Sequence, residues 1–277
     1  MKLFLSLILP FTINMVNSSI LISKDSLQQN STLLQSTELS LDKKLILEEI
    51  LQSLVLIPDG EFNMGCTADQ GSACSSNEFP VHKVIISSFY LSNTEVTQRW
   101  WKAFMGDNPS SFCRGDNFPV EMISYQDLMV FFDSLNAFSQ LTFRLPTEAE
   151  WEYCARAADI TCNYRFSGSS DPNDVAWTNK NSFQKTRVVK LKAPNHLGLY
   201  DMSGNVWEWV ADWYGNYTHA KQNDPRGPSS GTDKVIRGGS WAGSPDFCRN
   251  SLRHHFPPDY KSSFIGFRIA IDQNQIK

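Results

Sequence analysis

The sequence predicts an α+β domain with little regular secondary structure, and three observations lead there. A strand, turn, strand pattern opens the domain, three capped helices follow it, and periodicity vanishes beyond residue 160. In "LVLIPDGEFNMG", residues 54–65, Pro58, Asp59 and Gly60 supply turn chemistry between two apolar runs. "TEVTQRWWKAFMG" offers Thr97 as N-cap and Gly106 as stop. "SYQDLMVFFDSLNAF" pairs Ser124 with Asp127, and "LPTEAEWEYCARA" sets Thr147 three residues before Glu150, a capping box. The Trp, Phe and Leu positions of these helices read as core. Past residue 160, Gly, Asn, Asp, Pro and Trp dominate, as in "GLYDMSGNVWEWVADWYGNY". So much irregular chain in a domain points to function or to a bound ion that pins it.

The N-terminus sets the compartment. Lys2, an apolar run from Leu3 to Phe11, and Val16 and Ser18 at positions suited to cleavage read as a signal peptide over residues 1–18. The apolar run is far short of the roughly 20 residues that span a bilayer, so no transmembrane span is expected. The protein is therefore expected to be exported, periplasmic or secreted. Residues 19–40 are rich in Ser, Gln, Asn and Thr and read as a linker, followed by "LDKKLILEEILQSL", a short amphipathic helix or docking segment. Residues 19–53 thus precede a main domain at 54–273. A formal net charge of −4 lacks the basic excess that phosphate neutralisation requires, which excludes a nucleic-acid partner.

Export makes disulfide pairing the default for the six cysteines. Cys66 and Cys74 bracket one polar loop, Cys154 and Cys162 another segment of similar length, and both read as local pairs. Cys113 and Cys248 are left to pair across the fold or to stay free. Asn216 lies in the acceptor sequon "NYT", which matters only if the source glycosylates.

"DMSGNVWE" carries Asp201 and Glu208 around a Gly204–Asn205 turn, hard oxygen donors of the kind that suit calcium. An ordinary turn whose Asp and Asn satisfy their own backbone is the plainer reading of the spacing alone. Arg237, Arg249, Arg253 and Arg268 invite an anion site, but such arginines more often tie loops together through carbonyls and carboxylates.

"EVTQRWWKAFM", "RLPTEAEWEY", "GLYDMSGNVWEWVADWY", "VIRGGSW" and "IGFRIA" occur in the order and spacing of the formylglycine-generating enzyme, or sulfatase-modifying factor, family, which the chain resembles over residues 54–272. The resemblance implies an irregular C-type-lectin-like fold. It implies a calcium (Ca2+) site with the side chains of Asp201 and Glu208 and the carbonyls of Gly204 and Val206 as ligands, whereas "NKNSFQKTRVVKLKAPN" has no convincing counterpart of a second family calcium site. The family's chemistry converts a sulfatase cysteine to formylglycine with oxygen and copper(I) (Cu+) held by two thiolates, two and seven residues after the aromatic of the "GGS-aromatic" motif. Counted from Trp241, those positions are Gly243 and Cys248, so one sulfur is missing and copper binding is not expected. Ser240 and Trp207 keep positions that line the family's catalytic pocket, with Cys248 the surviving thiol. His254 and His255 are poor replacements, since adjacent strand residues point to opposite faces.

These readings imply an exported pseudoenzyme, calcium-stabilised and lectin-like, that presents a residual groove to a protein, peptide or glycan. The alternative is an oxidoreductase of the same family, either with different cofactor-independent chemistry or converting a sulfatase cysteine after all.

Overall fold

The cap signals of the sequence become helix starts in the computed structural model of the protein, which describes residues 40–157 and 164–276. The signal segment, nearly all of the polar linker and Cys162 lie outside the described residues. Helix α1 runs to residue 53 from residue 40, and the compact unit begins at Asp42. Ile46 and Ile50 are buried in the main core while Leu41 and Leu45 face out, so this helix is part of the domain's packing and does not merely precede it.

α2 (Gln98–Met105) starts where the Thr97 hydroxyl accepts from the Trp100 N–H at 3.3 Å and stops at left-handed Gly106. α3 (Tyr125–Ser139) and α4 (Glu148–Ala155) open on reciprocal capping boxes, Ser124 with Asp127 and Thr147 with Glu150. A single turn, α5 (Pro172–Val175), is capped by Asp171. Trp101 of α2 stacks on Phe131 of α3 with ring centroids 5.3 Å apart, and Phe267 packs edge-on against both rings.

Among the described residues the strands are short: β1 (Leu54–Ile57), β2 (Gly60–Met64), β3 (His82–Ile86), β4 (Phe89–Ser92), β5 (Phe143–Arg144), β6 (Ala176–Trp177), β7 (Ser203–Gly204), β8 (Trp207–Trp213), β9 (Gln222–Asn223), β10 (Lys234–Arg237), β11 (Arg253–Phe256), β12 (Ile265–Phe267) and β13 (Ala270–Asp272). They form sheets ordered β1-β4-β13-β5, β11-β10-β8-β12, β2-β3-β9 and β6-β7. The second sheet positions the site. Its centre, β8, pairs antiparallel with β10 and parallel with β12, with Glu208 opposite Arg237 on one side and Gly266 on the other. Strand alternation sends Trp207 and Trp209 to one core and Glu208 and Val210 to the opposite face, where Val210 joins the second core.

The four arginines do tie loops, through carboxylates as well as carbonyls. Arg237 pairs with Glu152 at 2.5 Å and takes the carbonyls of Asn250, Ser251 and Leu252. Arg253 pairs with Glu148, Arg249 with Glu78 and Arg268 with Glu208. All four guanidinium groups are buried or nearly so, a geometry that fixes which loop lies on which.

Cys66 and Cys74 form the expected local disulfide. Cys113 and Cys248 do not pair: Cys113 is exposed and its thiol donates to the Ser110 carbonyl at 2.7 Å, while Cys248 is a free, fully buried thiol. The pairing of buried Cys154 with Cys162 involves a residue outside the description.

Candidate functional site

Strand β10 ends at Arg237, and the chain then turns through Gly238 and Gly239 with φ of +97° and +76°. This reversal brings Ser240 and Trp241 back against the 3-10 turn Pro245–Cys248. The Trp241 N–H donates to the Asn205 carbonyl at 2.8 Å, and its ring N–H to the Ser263 carbonyl at 2.9 Å. Trp207, Ser240, Gly243, Phe247, His254 and Phe264 then line one open groove, with Ala242 and Phe256 completing it, and its volume is about 230 Å³. The structure thus brings Trp207 and Ser240 together with Gly243, the position of the missing sulfur.

Cys248 lies behind this wall, packed with Phe166, Val175 and Ala176. Burial pushes its thiol up to about 12, with only the Ser240 backbone N–H bonded to sulfur acting the other way. The reactive and metal-binding form is the thiolate, so this cysteine is held in its inert form. His254, its proton affinity lowered chiefly by burial, accepts the His255 N–H on Nδ1 at 2.8 Å. His255 instead pairs with Asp233 and stacks on Tyr214, so the two imidazoles do not converge on one ion. One buried protonated thiol and a glycine do not fit copper(I), which needs two soft sulfur donors.

The loop from Asp201 to Glu208 carries a different chemistry on the opposite face of β8. Asp201 and Asn205 are left-handed, at φ +55° and +59°, and the Asn205 side chain clasps the backbone of Arg187. Asp201 is buried; one oxygen accepts the Lys190 N–H at 2.8 Å and the other has no partner. Glu208 is fully buried and receives Arg268 on both oxygens at 2.6 Å, plus the Trp151 indole N–H at 2.7 Å.

Glu95 is the residue that sequence reading missed. It is fully buried, neither of its oxygens has a partner, and burial followed by the charges of Asp201 and Glu208 holds its carboxyl well above the usual range. Burial also lifts Asp201 to about 6. Three interacting buried carboxylates share one guanidinium, Arg268, and three of their oxygens are orphaned. Their hard oxygens suit calcium in kind, but among the described residues only Cys66, Cys74 and Glu78 bring three potential ligand atoms within 4.8 Å of one another, and Glu208 is already held by Arg268 and Trp151. The only sequence cue was a Glu placed two residues before the Thr97 cap, in "TEVTQ".

Comparison with known proteins gives this geometry its context. Residues 46–273 match the sulfatase-modifying factor enzyme 1-like domain. The formylglycine-generating enzyme of Thermomonospora curvata is 29% identical, over 81% of this chain and 95% of that protein. The chaperone protein LppX of Paenibacillus barcinonensis is 27% identical over 78% and 87%. The serine/threonine-protein kinase pkn1 of Chlamydia pneumoniae is 31% identical over 82% of this chain and 39% of the kinase. Among solved structures, Treponema denticola variable protein 1 superimposes with a TM-score of 0.72 at 31% identity, covering 79% of this chain and 94% of that one. PvdO from Pseudomonas aeruginosa gives 0.71 at 28%, with the same coverage. With the family match spanning both cores and the groove, the chain belongs to the formylglycine-generating enzyme, or sulfatase-modifying factor, family.

Proposed function

We propose that this chain is an exported, noncatalytic member of the family, a calcium-stabilised binding module whose residual groove receives an apolar stretch of peptide. The observation that carries this reading is the pair of Gly243 and buried, protonated Cys248 beside an intact aromatic groove. The groove's lining has one imidazole and no carboxylate, lysine or arginine, so it favours uncharged, apolar partners. That a relative bears the name chaperone protein supports a binding role within this family. Export rests on the apolar segment and cleavage positions of residues 1–18.

Incubation with copper(I), oxygen and a Cys-x-Pro-x-Arg peptide is expected to yield no aldehyde, and copper(I) binding to be weak in competition with a chelator. Gly243→Cys is expected to strengthen copper binding by restoring the second sulfur, and the fold has room for it: the nearest atoms to a Cβ at 243 belong to the Phe247 side chain, at 3.4 to 3.7 Å. Aldehyde formation by the natural protein, or tight one-to-one binding abolished by Cys248→Ser, would overturn the noncatalytic reading. For the groove itself, half-exposed Phe247 is the probe: Phe247→Asp should lower retention of apolar peptides on an array without changing the melting temperature.

Calcium is read as the counter-ion of the Glu95, Asp201 and Glu208 cluster, with the Gly204 and Val206 carbonyls of the same loop as backbone donors. A chelator should lower the melting temperature at pH 7.5 and added calcium should restore it. The effect should shrink at pH 5, where protons neutralise Asp201 and Glu95 instead. A melting temperature indifferent to both reagents would remove calcium from this account.

A further inference from the structure

Residues 180–192, "KNSFQKTRVVKLK", hold Lys180, Lys185, Arg187, Lys190 and Lys192 and no carboxylate, in a chain whose formal net charge is −4. None of the five cations has an ion-pair partner among the described residues. Phe183 is 78% exposed, the most exposed large apolar side chain described, and Leu191 is 58% exposed. Phe183 and Gln184 are both left-handed, at φ +59° and +58°, which turns the chain sharply at the aromatic. The Arg187 guanidinium lies 5.6 Å from the Phe183 ring and 5.0 Å from the Trp177 ring, and the Lys192 ammonium lies 4.3 Å from Trp177. Aromatic and cationic groups are therefore gathered in one place.

The backbone beneath them is fixed. Arg187 N–H donates to Asn205, Val189 N–H to the Asn117 carbonyl, and Lys190 N–H to Asp201. A pinned loop that presents an exposed aromatic among cations, of which Lys192 also donates to the Asn173 carbonyl, matches the physics of the lipid–water interface, where the ring enters the headgroup layer and the cations meet anionic headgroups. A soluble acidic polymer would be served by the cations alone and leaves Phe183 and Leu191 without a role. We infer that the segment 180–192 docks the protein on anionic phospholipid surfaces, beside the groove: the Ser182 hydroxyl donates at 3.0 Å to the carbonyl of Trp241, which lies between the groove residues Ser240 and Ala242.

The test is co-sedimentation of the chain, purified after export, with vesicles of equal parts phosphatidylglycerol and phosphatidylcholine at 0.1 M salt, against phosphatidylcholine alone and against soluble polyglutamate. All variants share the same N-terminal residues, so differences between them read this loop. The natural chain should partition to the anionic vesicles only, and more weakly as salt rises. Near a charged bilayer each neutralised lysine costs about fivefold, so Lys180→Gln with Lys185→Gln should lower partition about thirtyfold. Phe183→Ser should lower it about tenfold through lost apolar contact. Among the described residues the two lysine side chains make no hydrogen bond or ion pair, and Phe183 is largely exposed, so melting temperatures should not move. Equal binding to neutral and anionic vesicles, or partition unchanged by Phe183→Ser, would overturn the proposal. Polyglutamate binding as strong as vesicle binding would overturn it in favour of an acidic polymer.

Discussion

Gly239→Val is expected to abolish soluble expression. A Cβ on Gly239 would stand 2.6 Å from the Cys248 sulfur and 2.7 Å from the Phe247 carbonyl oxygen, closer than real side chains approach. The sulfur is a buried side chain, but the Phe247 carbonyl is backbone and cannot swing aside: the 3-10 turn is tied down by the Ser203 hydroxyl on the Cys248 carbonyl at 3.0 Å and by its own Phe247-to-Ser244 bond. The φ of +76° adds a second strain, which a β-branched residue feels most. Backbone strain of roughly 1–3 kcal/mol and overpacking of roughly 1–3 kcal/mol together remove much of an ordinary domain's 5–15 kcal/mol. Gly243→Ala is the control, since its φ carries no such strain and its new contact is an ordinary one. Soluble yield and a thermal melt decide the matter. A Gly239→Val protein that melts within a few degrees of the natural one would show that the turn can yield.

Arg268→Met should cost about 3–5 kcal/mol, a fall in melting temperature on the order of 10 °C for a domain of this size. The guanidinium is fully buried, neutralises Glu208 on both oxygens and also donates to the Ser92 and Tyr200 carbonyls. Its removal leaves Glu208 beside Glu95 and Asp201 with only the Trp151 indole as a strong partner. The loss should depend on pH, and its sign follows from linkage. Asp201 titrates at about 6 in the fold against an ordinary 3.8, and Glu95 is raised in the same direction. Between those values the folded protein holds more protons than the unfolded chain, so stability is greatest below the unfolded value and falls as pH rises through the folded one. Without Arg268 the folded values rise further, and the deficit against the natural protein should be larger at pH 7.5 than at pH 5. Melts in chelator at both pH values measure it. An equal deficit at both would mean that Arg268 acts through packing and carbonyl bonds alone.

The helices α2, α3 and α4 were legible because capping is local chemistry: Thr97, Ser124 and Thr147 each announce a start within three residues of the partner they use. The Cys66–Cys74 bond was legible for the same reason. The groove was half legible. Trp207, Ser240 and Gly243 follow from the family motif and Phe247 sits on the 3-10 turn just after it, but His254 and Phe264 reach the groove through strand pairing between distant segments, which no local pattern encodes. Cys248 illustrates the limit. Its sequence position suggested a ligand or a half-cystine, and only the packing of Phe166, Val175 and Ala176 around it reveals a buried, protonated thiol. Glu95 was hidden because burial, not residue type, makes a carboxylate significant, and α1 looked peripheral until Ile46 and Ile50 were found in the core.

The sheet order β1-β4-β13 sets the domain's first strand and its last on either side of β4. Both run antiparallel to β4 and hence parallel to each other, with Leu54 opposite Ser92 and Asp272 opposite Phe89, so the chain enters this sheet and leaves it at opposite ends of β4. The two ends of the domain thus cover the two edges of one central strand, so trimming the chain at either end would bare the edge of β4 to pairing with another molecule.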